Sequence, residues 1–416
     1  MENRHRKGSK SRDCGGQPKA AASKSTRHIQ TTKLQASHNI HSLLYQKEIG
    51  CLSCYRLHNE INYYHISHIK HVSKEKLVFQ ENLEHMQKMI PSADGTKFLC
   101  LWSVKNMLKQ IIQCCELILD FNKRIFEMNP KSDALNQSLS KVSSLCWAPH
   151  ANTASNYILY STMSVFGNSP SMVILKDLKM QGAEANGINP FRYREFNLGS
   201  KALWTSAWNP STAQFSLGSE KCSLVVDVHT RRMWEFETNK SDVFAQQFFP
   251  EGGQTLVSGT RNGCVLLHDL RSQSVRPSMV LRHPSCICHL HVAHDTNYIF
   301  ANDLTGKIQQ WDLRVRRPVL QFKGNVNEYS RIPFAVNEEH GVLYAAGQDC
   351  YSRIWDLRTA RLLCTIPPPH PASTDNIPTL CYSRTMGSGR FPALLMGILD
   401  EVHLYTACET LSDLPS

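Results

Sequence analysis

The 416-residue chain has no stretch of 18 or more apolar residues, and its N-terminus lacks the apolar run that a secretory signal requires. A membrane span and secretion are therefore not expected, and the chain reads as intracellular, nuclear and/or cytoplasmic. It also lacks the local patterns that announce most catalytic sites. There is no Gly-x-Ser-x-Gly elbow, no Gly-rich phosphate loop ending in Lys, and no His-Glu-x-x-His helix. No enzymatic activity, cofactor or metal is expected on that reading. Charge is sparse, at 19% of residues, against 41% hydrophobic, so most of the chain can bury a core.

The net charge of +11 is unevenly placed. Residues 1–33 hold nine Lys or Arg against Glu2 and Asp13, which leaves only +4 for the other 383 residues. The excess belongs to a polar tail without hydrophobic period, expected to be disordered over residues 1–36. Arg4, Arg6, Lys7, Lys10 and Arg12 there would suit an import signal or contact with nucleic acid, but a solvated tail is the plainer reading. The 15 cysteines, an odd number, are scattered through strand-like segments such as those around Cys146, Cys222, Cys264 and Cys364. They read as reduced core thiols.

What the chain does contain is a repeat. Four ten-residue stretches align without gaps at offsets of 42, 43 and 44 residues: 220–229 (EKCSLVVDVH), 262–271 (NGCVLLHDLR), 305–314 (TGKIQQWDLR) and 349–358 (DCYSRIWDLR). A second strand-and-turn element precedes them, in SLCWAP (144–149), TSAWNP (205–210), QQFFPEG (246–252) and FAVNEEHG (334–341). Each unit therefore reads as four short antiparallel strands, for example 242–250, 254–260, 264–270 and 278–283. One such sheet cannot bury both faces. Units must stack around an axis and close, which predicts an all-β, seven-bladed WD40-type β-propeller. Asp120, Asp177, Asp227, Asp269, Asp312 and Asp356 mark the ends of six third strands and residues 401–405 the seventh. The last unit lacks a fourth strand, which residues 76–80 (KLVFQ) could supply. Residues 37–76 show apolar residues at helical spacing and read as a short helical extension before a propeller spanning 77–408, with 409–416 as a C-terminal tail. The polar loop at 180–190 is the longest insertion.

The motif divides by chemistry. Trp311 and Trp355 should pack between blades, while Asp269, Asp312 and Asp356 accept turn amides at strand ends. Arg271, Arg314 and Arg358 follow in the turns, where three guanidinium forks would line one rim as an arc suited to a partner's carboxylates and carbonyls. The competing reading makes each a local ion pair. Two Cys/His groupings suggest metal at first sight. Cys51 and Cys54 with His58, His65, His68 and His71 have poor finger spacing, so surface histidines are preferred. In residues 283–294, strand alternation puts Cys286, Cys288, Leu290 and Val292 on one face and Ile287, His289 and His291 on the other.

The segments SSLCWAP (143–149), DVFAQQF (242–248), VNEEHGV (336–342), GQDCYSRIW (347–355) and TIPPPHPAS (365–373) resemble the DCAF family of WD-repeat receptors of cullin-four ubiquitin ligases, most closely its factor-four and factor-four-like subgroup. The likeness covers roughly residues 140–405. It implies a non-catalytic substrate receptor whose propeller docks on the DDB adaptor (subunit one), and through it on cullin-four, while presenting a protein substrate. It further implies that the Arg two positions after the motif Asp, here Arg314 and Arg358 with Arg271 one blade earlier, contacts that adaptor. Two departures stand out: residues 226–229 (VDVH) lack the Arg, and most units lack the usual Gly-His pair. The alternative is a general WD-repeat scaffold of another complex with no ubiquitin-ligase role.

Overall fold

The computed structural model describes residues 63–406, apart from 65 and the connecting segments 78–82, 94, 105–109, 121–124, 131–139, 150–156, 164–169, 179–192, 273 and 384–392. The basic tail, Cys51, Cys54, His58 and His65, the insertion at 180–190 and the C-terminal tail lie outside those residues. Seven four-stranded antiparallel sheets make up the structure. Six are built from consecutive strands, within residues 83–130, 141–197, 203–237, 243–282, 287–322 and 334–366, taken here as blades 1 to 6. The third strand of each ends on the Asp read from the sequence, in Gln110–Asp120, Met172–Asp177, Cys222–Asp227, Cys264–Asp269, Ile308–Asp312 and Ser352–Asp356.

Blade 7 closes the ring. Its strands Thr379–Ser383, Ala393–Ile398 and Glu401–Thr406 take Lys70–Lys76 as their outer member, antiparallel and paired from Lys70↔Thr406 to Lys76↔Glu401. The expected complement thus exists but lies six residues earlier than residues 76–80, and the reading of 37–76 as helical fails for its last seven residues. The physical reason is exposure. KHVSKEK faces solvent along much of its length, so it carries no apolar alternation to betray a strand. Helical geometry among the described residues of that region is confined to Tyr63–Tyr64 and Ile66–Ser67, just ahead of the strand.

Packing shows why the ring is the stable object. The buried apolar residues fall into seven clusters, each shared by two neighbouring blades, and together they account for every interface, including that between blades 7 and 1. Trp355 is fully buried between blades 5 and 6, where its indole Nε1 donates to the carbonyl of Lys323 (2.9 Å). Trp311 is buried in the apolar cluster between blades 4 and 5, without the counterpart of that hydrogen bond. In blade 4 the motif position is His268. Its Nε2 lies 3.0 Å from the carbonyl of Glu237, at the end of blade 3, so the imidazole reproduces the bridge made by Trp355.

The repeat extends to the backbone. The second residue of each aligned ten-residue stretch has positive φ: Lys221 (55°), Gly263 (80°), Gly306 (77°) and Cys350 (62°). Glycine is required at the two middle positions because a Cβ on Gly263 would sit 2.7 Å from the His283 carbonyl, and one on Gly306 would sit 2.9 Å from the Asn327 amide. A second shared feature corrects the sequence reading. The first strands of blades 2 to 5 each carry a bulge near their start, between Val142 and Ser144, Leu203 and Thr205, Val243 and Ala245, and Ile287 and His289. The extra residue resets alternation, so Ile287 joins Leu290 and Val292 in one core rather than opposing them.

Candidate functional site

The turns that follow the motif Asp are closed by that Asp. In blades 3, 5 and 6 the N–H four residues later donates to its carbonyl, from Arg231 to Asp227 (2.9 Å), Arg316 to Asp312 (2.8 Å) and Ala360 to Asp356 (2.9 Å). Each of these donors has positive φ. A second backbone bond ties the turn to the neighbouring turn between the blade's first two strands: Val228 to Ala213, Leu270 to Gln254, Leu313 to Asn297 and Leu357 to Gly341, at 2.8–2.9 Å. The two turns of each blade therefore share one rim of the ring.

Arg271, Arg314 and Arg358 stand on that rim, exposed, in three consecutive blades. Asp312 holds Arg314 by three bonds. Its Oδ1 accepts the Arg314 backbone N–H (2.9 Å) and Nε (3.0 Å), and its Oδ2 accepts Nη2 (2.6 Å). The guanidinium also donates to the Tyr298 hydroxyl (3.0 Å) and lies 5.5 Å from that ring's centre. Asp269 grips Arg271 in the same fork, at 3.0, 3.0 and 2.8 Å. These bonds hold the Asp312 carboxyl down at about 2 and lower that of Asp269 as well, with the arginine side-chain bond the main cause in both. Yet the arginine side chains remain 60% and 69% exposed. The local ion pair and the outward-facing fork are thus one arrangement, in which the Asp fixes the guanidinium without covering it.

Blade 6 differs. Asp356 Oδ1 still accepts the Arg358 N–H (3.0 Å), but its Oδ2 takes the Thr359 hydroxyl (2.6 Å) in place of a guanidinium. Asp227 of blade 3 is likewise closed by Thr230. The same turns carry basic residues that the motif does not include. Arg231 and Arg232, Arg316 and Arg317, and Arg361 are all exposed, and extend the cationic arc into blade 3. The signal was present in the sequence as basic residues four and five places after the strand-end Asp, in HTRR, LRVRR and LRTAR.

A second cationic feature lies on the axis. A cavity of about 860 Å³ runs along the first strands, and among the described residues its lining includes Lys88, Lys141 and Arg331 but no carboxylate. Arg331, from the segment entering blade 6, crosses to blades 3 and 4, where its guanidinium donates to the carbonyls of Trp204 (3.3 Å) and Phe244 (2.6 Å) and stacks on the Phe244 ring. Lys88 donates to the Leu145 carbonyl (3.1 Å). Burial first, and then the charge of Lys88, drives the His289 imidazole down to about 3. A depressed histidine contributes stability that is present above its unfolded value near 6.5 and lost as pH falls toward the folded value. We expect the chain to lose at most about 2 kcal/mol on this account between pH 7 and pH 5. Thermal melts across that window should show a shallower slope in His289→Gln; an unchanged slope would remove His289 as the cause.

Comparison with known proteins adds to this geometry. The family model for the DDB1- and CUL4-associated factor 4 beta-propeller domain matches residues 109–407. Human DDB1- and CUL4-associated factor 4 is 36% identical over 274 residues, covering 64% of this chain and 54% of that protein. Human DDB1- and CUL4-associated factor 4-like protein 2 is 34% identical over 273 residues, covering 64% and 68%. The bovine factor 4 is 32% identical over 273 residues, covering 64% and 54%. The chain thus spans about half the length of the factor 4 proteins it matches. The match reaches past the motif-bearing blades into the third strand of blade 1, and with the seven-bladed ring it places this chain in the DDB1- and CUL4-associated factor 4 beta-propeller family.

Proposed function

We propose that the chain is a non-catalytic substrate receptor of a cullin-four ubiquitin ligase, and that it docks on the DDB adaptor through the rim bearing Arg271, Arg314 and Arg358. The observation that carries this reading is the paired geometry of blades 4 and 5. There an Asp that already closes its turn also clamps the following Arg side chain, which nonetheless stays mostly solvent-exposed. An exposed ion pair contributes little to stability, so the fork is free to serve recognition, and its fixed orientation lowers the entropy lost on binding. The relatives' names, which associate them with DDB1 and CUL4, support the same partner.

The protein substrate then belongs to surfaces the adaptor leaves open, and the axial cavity with Lys88 and Arg331 supports an acidic segment as one occupant. A nuclear or cytoplasmic setting fits this role. Capture of the adaptor and of cullin-four by the intact chain, and its loss when Arg314 and Arg358 are both alanine, tests the proposal. A general scaffold would bring down a different partner set and keep it in that variant.

A further inference from the structure

The closing blade brings together three histidines and a glutamate from distant parts of the chain. Glu401 and His403 stand on strand Glu401–Thr406, His71 on the outer strand Lys70–Lys76 beside it, and His370 follows Pro367, Pro368 and Pro369 in the segment that enters blade 7. Glu401 Oε2 lies 3.1 Å from His370 Nε2 and 3.2 Å from His403 Nε2. The donor atoms of His370, Glu401 and His403 all fall within 4.8 Å of one another. His403 Nε2 is buried and, despite the nearby carboxylate, has no hydrogen-bond partner.

From this geometry we infer that His370, His403 and Glu401 form a zinc-binding site at the seam where the N-terminal strand closes the propeller. The donor set has the right chemistry, since two imidazoles and one carboxylate oxygen are ligands that zinc accepts in a tetrahedral shell with a fourth position left to solvent. The spacing also fits. An ion about 2.0–2.2 Å from each donor asks for donors roughly 3.2–3.5 Å apart, which two of the three pairs already approach. Lys74 Nζ holds Glu401 Oε1 (3.0 Å), so Oε2 alone points to the ion.

Outer partners are in place as well. His71 Nε2 lies 3.1 Å from His403 Nδ1, so with Nε2 on the metal the Nδ1–H of His403 donates to His71 and fixes the ring. A cavity of about 530 Å³ lined by His71, His370, His403 and Tyr405 gives solvent and ion an approach. The consequence is mechanical. A bound ion would tie the segment entering blade 7 to the third strand of that blade, and His71 would couple the closing strand to the same point.

The test uses the full chain, stripped with a chelator and titrated with zinc alone, then with cobalt as a spectroscopic substitute. The expected result is about one zinc per chain, a tetrahedral cobalt spectrum, and a rise in melting temperature on metal addition. His370→Ala, in a partly exposed connecting segment, should fold yet lose this zinc. His71→Ala should retain it with affinity about 10–100-fold weaker, as removal of an orienting partner requires. Absence of zinc uptake by the wild-type chain would overturn the inference, as would equal uptake and affinity in His370→Ala, which would place the ion elsewhere.

Discussion

A chain that begins at residue 78 should fail to fold cooperatively, although it keeps 27 of the 28 strands found among the described residues. Removing Lys70–Lys76 strips the outer member from blade 7 and leaves Glu401–Thr406 as an unpaired, largely buried edge, open to pairing with another molecule. Two core residues go with it. Ile66 is fully buried among Tyr344, Tyr382 and Tyr405 between blades 6 and 7, and Leu77 packs between blades 7 and 1, where its N–H also donates to the Asp400 carbonyl. Burial of two such side chains stabilises by about 3–6 kcal/mol together, which is comparable to the whole net stability of an ordinary domain. The ion pairs Lys74–Glu401 and Lys76–Asp400 are exposed and add little. Thermal unfolding followed by circular dichroism should show a sharp transition for the full chain and a broad one, or aggregation, for the truncated chain. Equal melting temperatures would mean that the ring does not depend on its closing strand.

The double variant Arg314→Ala with Arg358→Ala should bind the adaptor at least about 100-fold more weakly than the parent, because exposed arginines at interfaces are among the side chains whose truncation costs most. It should also melt as the parent does. The turns survive the change, since Asp312 and Asp356 keep the backbone N–H groups of residues 314 and 358 and each turn keeps its bond to the carbonyl of its own Asp. Adding Arg271→Ala should weaken binding further but less than additively, as forks that engage one surface share its desolvation. Arg316→Ala with Arg317→Ala serves as the comparison, because these neighbours add charge to the rim without the Asp clamp. Their loss should act mainly through the association rate and fade with salt. If loss of the two clamped arginines, Arg271→Ala with Arg314→Ala, had the same effect as loss of Arg316 and Arg317, the clamp would have no part in recognition.

How far these arguments were legible in the sequence varies from residue to residue. The ring was, because the strand-end Asp residues recur at a spacing that only stacked four-stranded units explain, and all six stand where expected. The clamp on Arg271 and Arg314 was half legible, in that the ion pair and the outward fork were read as rivals and the structure combines them. The closing strand was displaced by six residues because KHVSKEK has no alternating apolar face. The bulges in the first strands left no mark either, since a single inserted residue shifts the pattern without changing composition. The seam of His71, His370, Glu401 and His403 depends wholly on closure: His71 and His403 are 332 positions apart and meet only when the N-terminal strand joins the last sheet. Of the two described histidines first weighed as a metal group, His68 and His71, His71 is carried to that seam.

Hydrogen exchange of the chain with and without the purified adaptor tests the docking claim most directly. Protection is expected in the turns after Asp269, Asp312 and Asp356 and in the neighbouring turns at Gln254, Asn297 and Gly341, all on one rim of blades 4 to 6. Protection confined to the opposite rim, at the turns holding Gly263, Gly306 and Cys350, with the arginine-bearing turns unchanged, would contradict it.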